Sequence, residues 1–184
     1  VIKVDSLAAT GDTIKNDWVF KHLRGKKGTK VEVSVIRGNN KKPIVFKITR
    51  DKIPLNSIDT WFMIDKEIGY IKLDRFAQQS NDELVNALNE LKKEGMIDLI
   101  LDLRSNGGGY LKTAFEICDQ FLSGNKLIVY TQGLKSAREE LKAGKRGIFE
   151  TGRLVIMVDE FSASASEILS GAVQDWDRGV IVGR

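Results

Sequence analysis

The run MIDLILDL, residues 96–103, constrains the fold more than any other stretch of the chain: six of its eight residues are apolar, and it runs straight into Arg-Ser-Asn and three consecutive glycines. A strand apolar on both faces belongs inside a parallel sheet, where crossover helices take it out of water. Its neighbours agree. Ahead of it, SNDELVNALNELKKEG (residues 80–95) places Leu84, Leu88 and Leu91 at helical spacing and stops at Gly95, with Ser80 and Glu83 spaced as a capping box. Behind it, YLKTAFEICDQFL (110–122) reads as a second helix. The strand GYIKLDRF (69–76) precedes this group. The strand KLIVYT (126–131), a polar stretch 132–152, the strand RLVIMV (153–158), a helix 163–176 and the strand GVIVG (179–183) follow it. Alternating strands and helices predict an α/β unit, a mainly parallel sheet covered by helices, with its site at the carboxyl ends of the strands.

The first 52 residues read differently. They carry 13 Lys and Arg against 5 Asp and Glu, whereas residues 53–184 carry 16 against 20, so the net charge of +4 conceals two modules of opposite sign. VIKV is a strand, IKNDWVFKHL a short helix, GKKG a turn, and VEVSVI and IVFKIT are strands joined by RGNNKK. The positive charges interleave with these strands as the solvated face of a hairpin would, without the aromatic pattern of a nucleic-acid surface, so no nucleic-acid partner is expected. So few elements make a thin core, and the module reads as incomplete at its amino end. The chain opens on VIKVD, with neither an initiator Met nor a signal-peptide pattern, and is read as an excised or processed piece. No apolar run approaches the length that crosses a bilayer.

Two loops at strand ends carry the chemistry. In LDLRSNGGGY, three glycines permit positive φ and let a ligand approach bare N–H groups, as an oxyanion site or as a flexible turn. A phosphate cradle is disfavoured, because the Gly-x-Gly-x-x-Gly spacing and a P-loop Lys-Ser/Thr are missing. In VDEFSASASEI, only Ser164 has an acidic residue three positions on, Glu167, so helix-start chemistry singles it out as a cap. The same helix start would give the next residue, Ala165, a free N–H on the positive end of the dipole. Cap and nucleophile both remain open on these grounds. Cys118 lies among Phe115, Phe121 and Leu122 and is expected in the core, and Trp18, Trp61 and Trp176 are expected to pack. Asp98 and Asp102 have no partner at metal spacing, so no metal and no cofactor are assigned.

GYIKLDRF, ILDLRSNGGG and VDEFSASASEILSGAVQDWDRGVIVG, in this order and at these separations, resemble the core of the carboxyl-terminal processing or tail-specific proteases, serine peptidase family S41. LRGKKGTKVEVSVIR and the strand ending ITR resemble the second half of the PDZ domain attached to such enzymes. The resemblance implies a partial PDZ-like domain at 1–52, a linker at 53–66 and a crotonase-like protease core at 67–184. It implies Ser164 as nucleophile, an oxyanion hole from the N–H groups of Gly108 and Ala165 with Gly107 or Gly109 as alternatives to Gly108, and Asp175 as a supporting acid. Its general base is a lysine following GVIVG. Residues 165–184 contain no lysine, and the only histidine, His22, lies in the first module. On this reading the 184 residues alone are inactive or nearly so, and the parent enzyme cuts polypeptides with accessible carboxyl-terminal tails in a bacterial periplasm or cell envelope. The run SAREELKAGKRG is expected as a surface loop or short helix near the substrate entrance. A non-catalytic peptide-binding scaffold of protease descent is the alternative, and acyl-CoA chemistry a remote third that the serine motif argues against. Oligomeric state is not legible.

Overall fold

The computed structural model describes residues 1–11, 14–38, 42–52, 55–144 and 147–184, in two compact units, Val1–Leu55 and Asn56–Arg184. The boundary falls inside the stretch 53–66 expected as a linker, and much of that stretch belongs to the second unit.

The first unit contains β1 (Lys3–Val4), β2 (Leu7–Ala8), α1 (Asn16–Leu23), β3 (Lys30–Val35) and β4 (Ile44–Thr49). The strands form one antiparallel sheet in the order β2-β1-β3-β4. Its core is small: Val4, Val31 and Val33 are buried, with Trp18, Leu23 and Val35 packed around them. Arg50 compensates in part. Its guanidinium donates to the carbonyls of His22, Leu23 and Lys30, which ties the carboxyl end of α1 to the sheet. His22 stacks on Trp18 at 4.2 Å between ring centres, a packing role. The expected hairpin turn at Asn39, Asn40 and Lys41 lies outside the described residues.

The second unit runs β5 (Thr60–Met63), β6 (Ile68–Lys72), α2 (Ser80–Lys93), β7 (Asp98–Asp102), α3 (Leu111–Phe121), β8 (Leu127–Gly133), β9 (Ser136–Lys142), β10 (Leu154–Val158), α4 (Ala165–Asp175) and β11 (Val180–Gly183). Its main sheet has the order β11-β10-β7-β6-β5, parallel except for β5 at the edge. Strand β5 occupies residues expected to link the modules; the polar flanks of TWFM hide it, and it exists through its pairing with β6. The capping box expected at Ser80 and Glu83 does not form. Glu83 instead accepts the N–H groups of Ser57 and Ile58, from a loop distant in sequence, and Ser80 Oγ accepts the N–H of Ala77 in the turn just before the helix.

Helices cover one face of the main sheet. Ile71, Leu99, Leu101, Leu154 and Ile156 are buried against Leu84, Leu88 and Leu91 of α2, Ile117 and Phe121 of α3, and Leu169 and Val173 of α4. Cys118 is in this core, and burial pushes its thiol pKa up. The alternate residues Tyr70, Ile100, Val155 and Met157 are half-buried, and Phe62, Val180 and Val182 are exposed. The expected helix cover therefore lies on one face: the connections from β6 onward all step toward β11, and right-handed crossovers running one way place their helices on the same side.

KLIVYT forms a strand, but outside the main sheet. It supplies β8, which among the described residues pairs only with β9, in a separate hairpin closed between Gly133 and Ser136. Strand β9, SAREELK, corrects the expectation of a loop or short helix. It has no apolar alternation to betray it; Arg138 instead stacks on Tyr130 across the hairpin at 3.9 Å, and Arg138 and Lys142 each pair with Glu140 at 2.7 Å. No helix among the described residues is long and apolar enough to cross a membrane.

Candidate active site

The two singled-out loops leave the carboxyl ends of adjacent strands, β7 and β10, and are tied to each other. Asp159, just past β10, accepts the N–H of Ser105 at 2.8 Å and that of Phe161 at 3.0 Å, which holds its carboxyl pKa below the usual carboxylate range. The Ser162 hydroxyl donates to the Leu103 carbonyl at 2.8 Å, and that of Ser166 to the Asn106 carbonyl at 2.8 Å. Two of the three serines in the repeat are therefore committed to joining the loops. The exposed one is Ser164.

Ser164 is the N-cap of α4, with φ 56° and ψ −110°. A non-glycine residue there carries strain of about 1–3 kcal/mol, held by the surrounding structure. The capping box with Glu167 forms, with unequal halves. Glu167 Oε2 accepts the Ser164 N–H at 2.5 Å, whereas the Glu167 N–H goes to the Ser164 carbonyl at 3.0 Å and meets Ser164 Oγ outside full hydrogen-bond geometry. The side-chain oxygen is thus only lightly held. Next in the chain, Ala165 is buried, and among the described residues its N–H has no acceptor.

Against this turn lies the glycine loop. Gly108 has φ 97°, and a Cβ there would stand 2.7 Å from the Ala163 carbonyl oxygen, 2.9 Å from the Ala165 nitrogen and 2.9 Å from Ser164 Cβ. Only a residue without a side chain fits. The structure thus brings Gly108, Ser164 and Ala165 together. The Gly108 N–H, however, is not free: it donates to Asn106 Oδ1 at 2.9 Å. Asp175 is not brought in. It is exposed at the far end of α4, about 16 Å along the helix from Ser164, so its expected supporting role lacks a geometric basis.

Asn106 and Asp159, which sequence reasoning did not mark, hold the loops in place. Their only signals were an Asn before glycines and an Asp after an apolar strand.

Beneath the loop, the Asp102 carboxylate is almost wholly buried and is met by Tyr70 Oη at 2.7 Å and Arg104 Nη2 at 2.7 Å, with Lys72 Nζ at 3.9 Å. Burial alone would raise its pKa, but the Arg104 and Tyr70 hydrogen bonds outweigh that and pull it down to about 2 from 3.8. Tyr70 moves the other way, pushed up to about 12 by burial and then by Asp102. A depressed native pKa means stabilisation that is present above the unfolded pKa and lost as pH falls through the native one. We expect Asp102→Asn to cost about 2 kcal/mol at neutral pH. In urea unfolding followed across pH, the gap between wild type and variant should close from about pH 4 to about pH 2; a gap independent of pH would exclude the ionised pair as its cause.

Among the described residues, no cluster of three or more His, Cys, Asp or Glu is placed to hold a metal ion.

The description of Peptidase family S41 matches residues 67–184. The chain is 36% identical over 165 residues to a "Carboxyl-terminal-processing protease" of Picosynechococcus, covering 88% of this chain and 39% of that protein. It is 35% identical over 175 residues to the protein of the same name from Synechocystis, covering 93% of this chain and 40% of that protein. Among solved structures, it superposes on a "Photosystem II D1 C-terminal processing protease" with a TM-score of 0.63 at 27% identity, covering 98% of this chain and 49% of that one. The chain thus spans about two fifths of the length of these curated relatives. With both the core motifs and most of the chain matched, the chain belongs to peptidase family S41.

Proposed function

We propose that the protein is a serine endopeptidase that cleaves polypeptides near their carboxyl ends, with Ser164 as nucleophile. The observation that carries this reading is the meeting of an exposed, strained Ser164 with the unpartnered Ala165 N–H and the side-chain-free surface of Gly108. Ser164 Oγ attacks the scissile carbonyl carbon as its proton passes to a base, and the resulting oxyanion is held by the Ala165 N–H together with an amide of the glycine loop. The intermediate collapses as the base returns the proton to the leaving amine, and water then hydrolyses the acyl-serine by the same steps. Each preorganised donor of this kind is worth about 10²–10³ in kcat.

The base in this reading is a lysine supplied by the longer protein after β11, neutral at working pH because burial lowers its pKa. The crotonase-like relation of the core, the PDZ-like character of the first unit, the preference for free tails and a periplasmic or envelope location complete the proposal on resemblance. The relatives' printed name, carboxyl-terminal-processing protease, supports the substrate class.

Covalent labelling tests it. Incubating the full-length protein with a fluorophosphonate should phosphonylate one residue, and peptide mapping should place the adduct on Ser164. Labelling at Ser162 or Ser166, or none at all while substrate is being cut, would refute the assignment.

A further inference from the structure

Helix α3 starts where the glycine loop ends, and its first turn is open. Its N-cap, Tyr110, makes no side-chain capping bond, no acidic residue stands in the first turn, and among the described residues the amides of Leu111, Lys112 and Thr113 have no acceptor. Lys112 adds a cation there, at the end of the helix dipole that favours anions. Helices α2 and α4, by contrast, carry acids of their own at this place, Asp82 and Glu83 in one and Glu167 in the other.

A cavity of about 300 Å³ opens beside this turn, bordered by Gln78 from the chain ahead of α2 and by Tyr110, Lys112, Thr113 and Glu116. Thr113 is the telling residue. It is only 3% exposed, and its hydroxyl has no hydrogen-bond partner among the described residues. No fully enclosed side-chain oxygen or nitrogen among them lacks a partner, so the small part of Thr113 that reaches solvent includes Oγ1, and the cavity is what it faces. Of the bordering residues, Lys112 and Glu116 carry charge, and they pair with each other at 3.4 Å across one turn of α3. The Lys112 side chain is 85% exposed, so this pair is weak and its ammonium changes partner at little cost. What the cavity offers is therefore a buried hydroxyl, first-turn amides and an ammonium, all donors, against one carboxylate that is already paired.

We infer that, on the peptidase reading above, this cavity is a substrate subsite that takes a carboxylate of the polypeptide, either its free chain end or an Asp or Glu side chain. The carboxylate accepts from Thr113 Oγ1 and the first-turn amides and draws Lys112 away from Glu116. The place of the subsite follows from the chain. A Cβ on Gly108 would stand 2.9 Å from Ser164 Cβ, and Tyr110 follows Gly108 by two residues. The near wall of the cavity thus lies within roughly 10 Å of Ser164, about three extended residues. The subsite reads a group some three positions from the bond that is cut.

The test measures binding first, on the full-length protein carrying Ser164→Ala, by fluorescence anisotropy of one labelled peptide in three forms. These are a free acid without acidic side chains, the same peptide as its carboxyl-terminal amide, and the amide with a single Asp at each position in turn. The free acid or one Asp form should bind at least about tenfold tighter than the plain amide, and Thr113→Val should remove most of that gain. A gain with the free acid assigns the chain end, and a gain with Asp assigns a side chain. Lys112→Gln should weaken the favoured form by about threefold, and Glu116→Gln should tighten it, because the cavity loses its negative charge. No gain with any form, a gain untouched by Thr113→Val and Lys112→Gln, or weaker binding in Glu116→Gln overturns the inference. Thr113→Val removes a hydroxyl that bonds to nothing in the fold, so its melting temperature should hold or rise; a lower one with peptide affinity unchanged makes the hydroxyl structural and also overturns it. Turnover with Ser164 intact is read separately. There the same substitutions should change KM with kcat little altered. The expected binding pattern without any cleavage would refute the peptidase reading and leave the carboxylate site standing.

Discussion

Cleavage of a tail-bearing polypeptide should fall by about 10⁴–10⁶-fold in kcat/KM on Ser164→Ala, with the fold intact. The size follows from losing covalent catalysis altogether, since what remains is binding and the oxyanion donors. Retention of the fold follows from the unequal capping box. Its stronger half uses the Ser164 backbone N–H and Glu167, which alanine leaves in place, so the cost should stay near about 1 kcal/mol, the usual value of a cap side chain. Thermal melts beside the kinetics separate the two effects. A variant that melts with the wild type and cuts as fast would remove Ser164 from the mechanism.

The second large effect is steric. Gly108→Ala should lower stability by about 2–4 kcal/mol and kcat by at least about 10²-fold, because the new methyl meets backbone on two sides and φ is positive. The atoms it meets are the Ala163 carbonyl oxygen, the Ala165 nitrogen and Ser164 Cβ, so relief requires moving the Ser164 turn itself. Gly171→Ala, in α4 with open space around its Cα, is the matched control and should gain about 0.5–1 kcal/mol from helix propensity. Urea unfolding of both variants with turnover measured in parallel is the check; equal, small effects at 108 and 171 would mean that close packing of the glycine loop on Ser164 is not needed.

The alternation of β6, α2, β7, α3, β10, α4 and β11 was legible because each apolar strand is bounded by a helix with its own period. What was not legible depends on partners far away in the chain. Strand β9 has only charged and small residues apart from Leu141, and becomes a strand through β8 opposite it. Glu83 was spaced to cap its own helix, yet Ser57 and Ile58, some 25 residues earlier, offered two N–H groups in a part-buried setting. Ser164 was marked by both local spacing and family pattern, and the structure adds why its two neighbours differ from it: their hydroxyls are spent on Leu103 and Asn106. The role of Asn106 could not be read, since its amide reaches Leu73, 33 residues back.

In the proposed mechanism the groups that meet substrate around Ser164 are main chain: the Ala165 N–H and the glycine loop, held in place by the buried Asn106 amide. Such a surface is inherited through the absence of side chains, and it survives the loss of the one hydroxyl that makes it reactive. On that proposed mechanism, a descendant with alanine at position 164 would keep the donors in place and would hold a polypeptide without cutting it. In a lineage of such chains, cutter and holder are separated by a single oxygen atom, and the step between them leaves the architecture unaltered.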